Sequence, residues 1–266
     1  MLKYFKVTEN KVACWINPRD FGAQSQSLVF IHGSGGNSSA WSHQYSKLHK
    51  FFNIAAVNLP GHGKSGGHGK QFIPEYVLGL KEMLGVLKLE SPILIGHSLG
   101  AAIALGFAAT YPQEPSGVVA VGGGLTMPVN PDILEGLRQQ PEVVMDLICK
   151  ISLAKENRPK FFDALRTSLG QANIDVLSGD MLACSRFDLT GELKKIIAPT
   201  LVICGVEDKM TPPASSREIA AGIACAKFVL IEGAGHMVMM EKPSEFNEAI
   251  RNFAAALPQT LPTKKT

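Results

Sequence analysis

The sequence has little charge, little imbalance between positive and negative charge, and no long hydrophobic run. Charged residues make up 18% of its 266 residues, and 26 Lys and Arg stand against 23 Asp and Glu. The formal net charge of +3 is too small to favour nucleic acid or an anionic membrane surface as a partner. A transmembrane helix needs about 18 consecutive apolar residues, and the longest candidate, 101–109, contains a glycine. We therefore predict a chain that binds neither nucleic acid nor a membrane.

Cysteine usage argues against a disulfide-stapled fold. The number of cysteines is odd and no pair has the C-x-x-C spacing, so neither a disulfide framework nor a zinc site is predicted. The first residues show no signal-peptide stretch, and we expect free thiols in a reducing cytoplasm. His62 and His68 have no third ligand nearby in the sequence, and we predict no metal. The cysteines are Cys14, Cys149, Cys184, Cys204 and Cys225.

Short apolar runs alternate with helical stretches along the chain. The last six runs are continuous rather than alternating, which is typical of strands buried on both faces of a parallel sheet. The helical stretches between them fit crossover connections. We therefore predict an α/β fold, with a mostly parallel sheet covered by helices. The predicted strands are 2–8, 12–16, 28–31, 53–58, 92–95, 117–121, 200–204 and 228–231, and the predicted helices are 76–87, 99–109, 215–223 and 244–257.

This rhythm is broken once, by about 80 residues between the sixth and seventh predicted strands that contain no strand pattern. An insertion of this length is not a plain loop, and helical patterns occur at 141–153 and 159–169. We interpret residues 125–190 as a helical cap inserted into a core made of residues 1–124 and 191–258. Residues 259–266 are expected to form a flexible tail.

The strongest functional signal is the sequence Gly-His-Ser-Leu-Gly at 96–100, a G-x-S-x-G pattern. A buried strand is predicted to run into it and an apolar helix to run out, which is the setting of a nucleophile elbow. Glycines two residues on either side of Ser98 let the strand and the helix approach without a Cβ clash. The pattern predicts that the Ser98 hydroxyl is a nucleophile, presented at the carboxyl edge of the sheet.

A serine nucleophile needs a base, and His236 is the best placed of the seven histidines. It follows the last predicted strand in a Gly-Ala-Gly-His sequence, where a loop can turn its imidazole towards Ser98. The base needs an orienting carboxylate, and Asp208 follows the strand predicted at 200–204, with Glu207 beside it as the alternative.

The tetrahedral intermediate needs two N–H donors for its oxyanion. One is expected from Leu99, which follows the nucleophile at a helix N-terminus. The other is expected from the Gly-rich loop at 32–36, where Ser34 is the preferred donor.

Together these motifs resemble an α/β-hydrolase with a helical lid, over nearly the whole chain. The resemblance implies an eight-stranded sheet, a Ser98–His236–Asp208 triad that favours Asp208 over Glu207, and no cofactor. The superfamily includes esterases, lactonases, thioesterases, C–C bond hydrolases, perhydrolases and a few receptors, so the resemblance does not select a substrate. The matching segments are 32–36, 59–65, 96–100, 199–208 and 233–243.

Within that superfamily the expected activity is hydrolysis of a small to medium, largely apolar carboxylic ester, lactone or thioester through an acyl-enzyme on Ser98. Two alternatives stay open: a C–C bond hydrolase of the meta-cleavage-product type with the same triad, and a ligand-binding receptor on a hydrolase scaffold. Flexible methionines suit a permissive apolar pocket. The residues expected to line it are Gly33, Met127, Met145, Met181 and Met237.

Overall fold

A computed structural model describes residues 1–19, 21–224 and 226–258, and its centre is one eight-stranded sheet. The strand order is β1-β2-β4-β3-β5-β6-β7-β8. Strand β2 runs antiparallel to both of its neighbours, and the pairs from β4 to β8 are all parallel. The predicted mostly parallel sheet of eight strands, flanked by helices, is therefore confirmed. The strands are β1 (Leu2–Val7), β2 (Asn10–Ile16), β3 (Ser27–Ile31), β4 (Asn53–Val57), β5 (Ile93–His97), β6 (Gly117–Val121), β7 (Thr200–Gly205) and β8 (Ala226–Ile231).

The two faces of the sheet carry separate hydrophobic clusters. In β3, Leu28 and Phe30 belong to one cluster and Val29 and Ile31 to the other, as the alternation of side chains along a strand requires. Burial on both faces holds for the inner strands, but β8 is only half-buried. The prediction of full burial was wrong there, because β8 is an edge strand with a partner on one side only.

Ten α-helices accompany the sheet in the described part of the chain. Helices α2, α3 and α8 pack on one face, and α1, α9 and α10 on the other. The helices are α1 (Ser42–Leu48), α2 (Ile73–Leu87), α3 (Leu99–Thr110), α4 (Pro131–Gln139), α5 (Pro141–Ser152), α6 (Arg158–Leu169), α7 (Ile174–Ser185), α8 (Pro213–Gly222), α9 (Val238–Glu241) and α10 (Pro243–Ala256).

Proline marks the start of six of these helices, where its missing N–H costs nothing and its fixed φ suits the first turn. Helices α2, α8 and α10 consequently begin one to three residues before their predicted starts at 76, 215 and 244. The prolines lie at the first or second helical position and are Pro74, Pro131, Pro141, Pro159, Pro213 and Pro243.

The segment between β6 and β7 folds into helices α4 to α7. These helices share a third hydrophobic cluster, which contains no strand residue. The two ends of the segment meet at an antiparallel bridge between Thr126 and Asp188, beside a hydrogen bond from the N–H of Leu189 to the carbonyl of Leu125. The segment therefore leaves and re-enters the sheet layer at one place, close to the predicted limits of the insertion.

Cys14, Cys149, Cys184 and Cys204 are buried and free. The predicted free thiol of Cys225 and the predicted tail at 259–266 lie outside the described residues. None of the described helices combines the length and the apolar character needed to cross a membrane.

Candidate active site

Ser98 lies in a strained turn between β5 and α3. Its φ of 54° and ψ of −117° are sparsely populated for a residue with a Cβ, and such a conformation costs on the order of 1–3 kcal/mol. The turn is held by a hydrogen bond of 2.9 Å from the Ser98 N–H to the carbonyl of Val121 on β6. Strain of this kind at the junction of a strand and a helix is the geometry of a nucleophile elbow.

The elbow requires glycine at 96 and 100 because backbone segments touch there. A Cβ on Gly96 would lie 1.9 Å from the carbonyl oxygen of Gly100. A Cβ on Gly100 would lie 2.2 Å from the carbonyl oxygen of Ile31, at the end of β3. These contacts place the start of α3 directly against β3, and so bring Ser98 close to the loop that follows β3.

The imidazole of His236 is held by Asp208, and not by Glu207. Asp208 Oδ2 lies 2.8 Å from Nδ1 of His236, whereas Glu207 is partly exposed and faces the N–H of Lys155. Because a carboxylate only accepts, Nδ1 carries the ring proton and Nε2 of the neutral ring has the free lone pair. Nε2 is buried and has no hydrogen-bond partner among the described residues. This tautomer is the one that a general base needs.

Asp208 is buried but fully hydrogen-bonded. Its Oδ1 accepts the N–H groups of Met210 and Thr211, each at 2.9 Å, and its Oδ2 also accepts the Thr211 hydroxyl at 3.0 Å. Burial alone would raise the pKa of Asp208, but the facing His236 and the bonds from Thr211 outweigh it and lower the pKa below its ordinary value. The side chain is therefore a carboxylate at neutral pH.

The backbone of His236 is fixed from two sides. Its N–H donates to the carbonyl of Ser152 at the end of α5 at 2.8 Å, and its carbonyl accepts from Nε2 of His97 at 2.9 Å. Burial and then the neighbouring His236 lower the pKa of His97 to about 3, so this ring stays neutral. His97 thus connects the turn that carries Ser98 to the loop that carries His236.

A second buried carboxylate holds the same loop to the insertion. Glu241 Oε1 accepts the N–H of Gly235 at 2.9 Å. Its Oε2 accepts the N–H of Ala154 at 2.9 Å and Nδ2 of Asn157 at 2.8 Å, both just after α5. The loop before His236 therefore shares one carboxylate with the insertion.

The loop after β3 forms a tight turn. The N–H of Gly36 donates to the carbonyl of Gly33 at 3.0 Å, and Gly35 has a φ of 65°, which favours glycine. The N–H groups of Ser34 and Leu99 have no hydrogen-bond partner among the described residues. They are therefore available to a ligand, as an oxyanion hole requires.

A cavity of about 140 Å³ lies between the edge of the sheet and the inserted helices. Ser98, Ser34 and His236 line it, together with side chains from α5, α6 and α7. Most of the wall is apolar, and none of the described residues that line it is Lys, Arg, Asp or Glu. The cavity therefore suits a small uncharged group.

Four of the five predicted pocket residues line this cavity, namely Gly33, Met127, Met181 and Met237. Met145 does not, since it is buried in the hydrophobic cluster shared by the inserted helices. On α5 the residues that line the cavity are Ile148, Cys149 and Ser152, one to two helical turns further along. Periodicity alone does not distinguish these positions from that of Met145.

One buried cluster was not anticipated. Asp180 on α7 is fully buried and accepts three hydrogen bonds: from the Gly35 N–H at 2.9 Å, from His62 Nε2 at 2.7 Å and from the Tyr76 hydroxyl at 2.5 Å. The signal in the sequence is an acid between Leu177 and Cys184 on an otherwise apolar helix face, because a buried acid requires partners. Those partners, however, are distant in sequence.

Burial alone would lower the pKa of His62, but its hydrogen bond to Asp180 and the charge of that carboxylate outweigh it and raise the pKa. His62 packs against His32, whose pKa burial keeps far below its ordinary value. His32 is therefore neutral, and of the two rings His62 binds a proton more readily.

Comparison with known proteins places this geometry among hydrolases. The family model described as "Alpha/beta hydrolase family" matches residues 28–249. A 2-hydroxy-6-oxononadienedioate/2-hydroxy-6-oxononatrienedioate hydrolase of Paraburkholderia phymatum is 27% identical, with 94% of each chain covered. A 2-hydroxy-6-oxo-6-phenylhexa-2,4-dienoate hydrolase of Comamonas testosteroni is 24% identical, over 94% of this chain and 95% of the relative.

Solved structures agree on the fold. A thermophilic esterase superposes with a TM-score of 0.83 at 32% identity, over 97% of this chain and 100% of the other. The enol-lactonase of Burkholderia xenovorans LB400 gives a TM-score of 0.88 at 22% identity, over 95% and 100% of the two chains. The last identity is low enough that this likeness concerns the fold alone.

The close approach at the elbow predicts the effect of Gly100→Ala. The added methyl group meets the Ile31 carbonyl, so we expect a loss of about 1–3 kcal/mol in the free energy of unfolding, measured by urea denaturation. The matched control is Gly79→Ala inside α2, where a Cβ meets nothing within 4 Å. That change should stabilise the protein by roughly 0.5–1 kcal/mol. Equal effects of the two changes would contradict the packing described.

The buried His62–Asp180 pair predicts a stability that depends on pH. Since the folded protein raises the pKa of His62, its contribution is complete below the ordinary value of about 6.5 and is lost as pH rises through the folded pKa. The excess stability of wild type over His62→Gln should therefore be larger at pH 5.5 than at pH 9. The difference amounts to about 1.4 kcal/mol for each tenfold increase in the affinity of His62 for its proton in the folded state relative to the unfolded state. Urea unfolding of both proteins across this range measures it, and a constant excess would refute the pairing.

Proposed function

The chain belongs to the alpha/beta hydrolase family, and we propose that it is a serine hydrolase of small, uncharged carboxylic esters or lactones. The observation that carries the proposal is the state of His236. Asp208 faces Nδ1, Nε2 has no hydrogen-bond partner among the described residues, and His236 and Ser98 both line the cavity. A strained serine and an imidazole oriented by a carboxylate at one cavity are the arrangement required to make a hydroxyl nucleophilic.

In the first half of the proposed reaction, Ser98 Oγ attacks the acyl carbon while Nε2 of His236 takes its proton. Asp208 stabilises the imidazolium that forms. The N–H groups of Ser34 and Leu99 donate hydrogen bonds to the negative charge that develops on the carbonyl oxygen. The C–O bond to the leaving group then breaks, and His236 returns the proton to the departing alkoxide, which leaves an acyl group on Ser98.

In the second half, water replaces the alcohol. His236 takes a proton from the water as it attacks the acyl carbon, and the same two N–H groups hold the oxyanion. Collapse of this intermediate releases the carboxylic acid and returns the proton to Ser98. No step requires a cofactor, since the side chains and backbone donors named supply every proton transfer and charge contact.

The size and the lining of the cavity favour a substrate with a small apolar acyl group. Its volume of about 140 Å³ is close to that of engineered apolar cavities that hold a molecule of the size of benzene. The apolar side chains of the wall are mainly methionine, leucine and cysteine, and the polar ones are serine, threonine and two histidines. We propose residues 125–190 as the cap that closes this site, because α5, α6 and α7 provide much of the wall.

C–C bond hydrolysis is the second candidate, because the curated relatives named above carry such names. The substrates in those names are 2-hydroxy-6-oxo dienoates and dienedioates, which contain at least one carboxylate. A buried carboxylate requires a cationic or multiply donating partner. No Lys or Arg is among the described residues that line this cavity, so the lining favours an uncharged ester or lactone.

The proposed function predicts turnover of p-nitrophenyl esters with an optimum between acetate and hexanoate and a sharp fall by decanoate. The reason is the cavity volume, which a ten-carbon chain exceeds. Ser98→Ala should lower kcat by about 10,000-fold or more while the protein stays folded. Release of p-nitrophenol measures both. A folded wild-type protein that hydrolyses no ester in the series, or a Ser98→Ala protein with wild-type rates, would overturn the proposal.

The uncharged lining predicts weak activity on a carboxylate-bearing diketone. With 2-hydroxy-6-oxo-6-phenylhexa-2,4-dienoate, we expect kcat/KM at least about 100-fold below that for the best ester, a penalty of about 2.7 kcal/mol for the unpaired carboxylate. Loss of the dienoate absorbance follows the reaction, and the Comamonas testosteroni relative serves as the positive control. Comparable kcat/KM values for the dienoate and the best ester would move C–C hydrolysis to first place.

A further inference from the structure

The turn after β3 has two central N–H groups, and only one of them is hydrogen-bonded within the described part of the protein. A four-residue turn uses the N–H of its last residue, here Gly36. Of the two central groups, that of Gly35 donates to Asp180 Oδ2 at 2.9 Å, and that of Ser34 has no partner among the described residues. The free one is the proposed oxyanion donor, and its neighbour is held by a buried carboxylate.

The Asp180 carboxylate is itself fixed by hydrogen bonds from other elements. Tyr76 on α2 donates its hydroxyl to Oδ1 at 2.5 Å, and its oxygen accepts the N–H of Lys70 at 2.9 Å. His62 donates to Oδ2 at 2.7 Å. Asp180 is completely buried on α7. The carboxylate therefore has a single position, set by α2, α7 and the loop after β4.

We propose that Asp180 is a positioning residue of the oxyanion hole, a role that rests on the proposed serine hydrolase function. Its bond to the Gly35 N–H fixes the central peptide of the turn. Rotation of this peptide is the motion that interconverts the two common turn types, and Gly35 by itself allows both. The Ser34 N–H lies on the adjoining Gly33–Ser34 peptide. A fixed central peptide therefore holds Ser34 from its carbonyl side and limits reorientation of this N–H before the substrate arrives, as a preorganised oxyanion donor requires.

His62 and Tyr76 have a second effect on the same site. A bare carboxylate next to the turn would repel the negative charge that develops on the substrate oxygen. Both ring nitrogens of His62 face acceptors, Nδ1 the Pro60 carbonyl and Nε2 the oxygen of Asp180 that holds Gly35, so this ring acts as a donor at both ends. The Tyr76 hydroxyl binds the other carboxylate oxygen. The Asp180 carboxylate can therefore orient the turn without opposing the oxyanion.

The test is Asp180→Asn, with Asp175→Asn on the exposed side of the same helix as the matched control. Asparagine keeps the shape but presents an NH₂ group where an acceptor is needed, so the Gly35 N–H, the His62 N–H or the Tyr76 hydroxyl loses its partner. For the best ester we expect kcat to fall about 10- to 100-fold, a part of the loss caused by removing a donor altogether. KM should change less than about threefold, and Asp175→Asn should match wild type.

An inhibitor pair separates positioning from general damage. A trifluoromethyl ketone with the preferred acyl chain forms an adduct on Ser98 that carries an oxyanion, and the corresponding secondary alcohol binds without one. In Asp180→Asn the inhibition constant of the ketone should rise in proportion to the loss in kcat/KM, and that of the alcohol should not change. Equal weakening of both inhibitors, or a kcat equal to that of wild type, would overturn the positioning role.

Failure to fold and failure of the proposed function give different results. If Asp180→Asn does not fold, Tyr76→Phe removes one donor to the carboxylate and should lower kcat a few-fold with the same selective effect on the ketone. An equal effect on ketone and alcohol in Tyr76→Phe overturns the positioning role. If wild type neither hydrolyses an ester nor binds the ketone more tightly than the alcohol, the hydrolase proposal fails, and the positioning role fails with it.

Discussion

Among the residues that the structure describes, three carboxylates are buried at the carboxyl edge of the sheet, and none of them can remain there without a complete set of hydrogen bonds. An unpaired buried charge costs several kcal/mol, so each carboxylate requires several donors. Asp208 receives His236 and Thr211, Glu241 receives Gly235 and Ala154, and Asp180 receives Gly35, His62 and Tyr76. In each case at least one donor is a backbone N–H of a loop at the proposed active site. The hydrogen bonds that offset the cost of burying these charges therefore also fix the loops that donate them.

The strain at Ser98 follows from the same need for a rigid edge. A residue with a Cβ at a φ of 54° keeps that conformation only if its surroundings leave no alternative. Here the N–H of Ser98 is bound to β6, and the two flanking glycines bring α3 into contact with β3 and the end of β5. The elbow is thus stabilised by the sheet itself. The His236 loop and the turn after β3 depend instead on buried carboxylates. One of these, Glu241, is bonded to the insertion, and the other, Asp180, belongs to it.

The sequence was sufficient for features that depend on neighbouring residues. Continuous apolar runs predicted the strands, and glycines around Ser98 between a strand and a helix predicted the elbow conformation. Features that depend on distant residues were not accessible in the same way. The half-exposed β8 follows from its edge position, and Met145 packs among the inserted helices because of how α5 lies on its neighbours. Asp180 stands out as an acid on an apolar helix face, but His62 and Gly35 are more than 100 positions away.

The insertion explains why the same motifs do not determine a substrate. Helices α5, α6 and α7 supply much of the cavity wall, and the insertion also supplies Asp180, Ser152 and two of the donors to Glu241. A substitution in these helices therefore changes the shape of the cavity and, through buried hydrogen bonds, the orientation of the proposed oxyanion donor or base. Proteins that match this chain at 22–32% identity, in structure or in sequence, carry names as different as esterase, enol-lactonase and dienoate hydrolase. In this chain, the proposed preference for uncharged substrates rests on the absence of Lys and Arg from the described lining, much of which the insertion supplies.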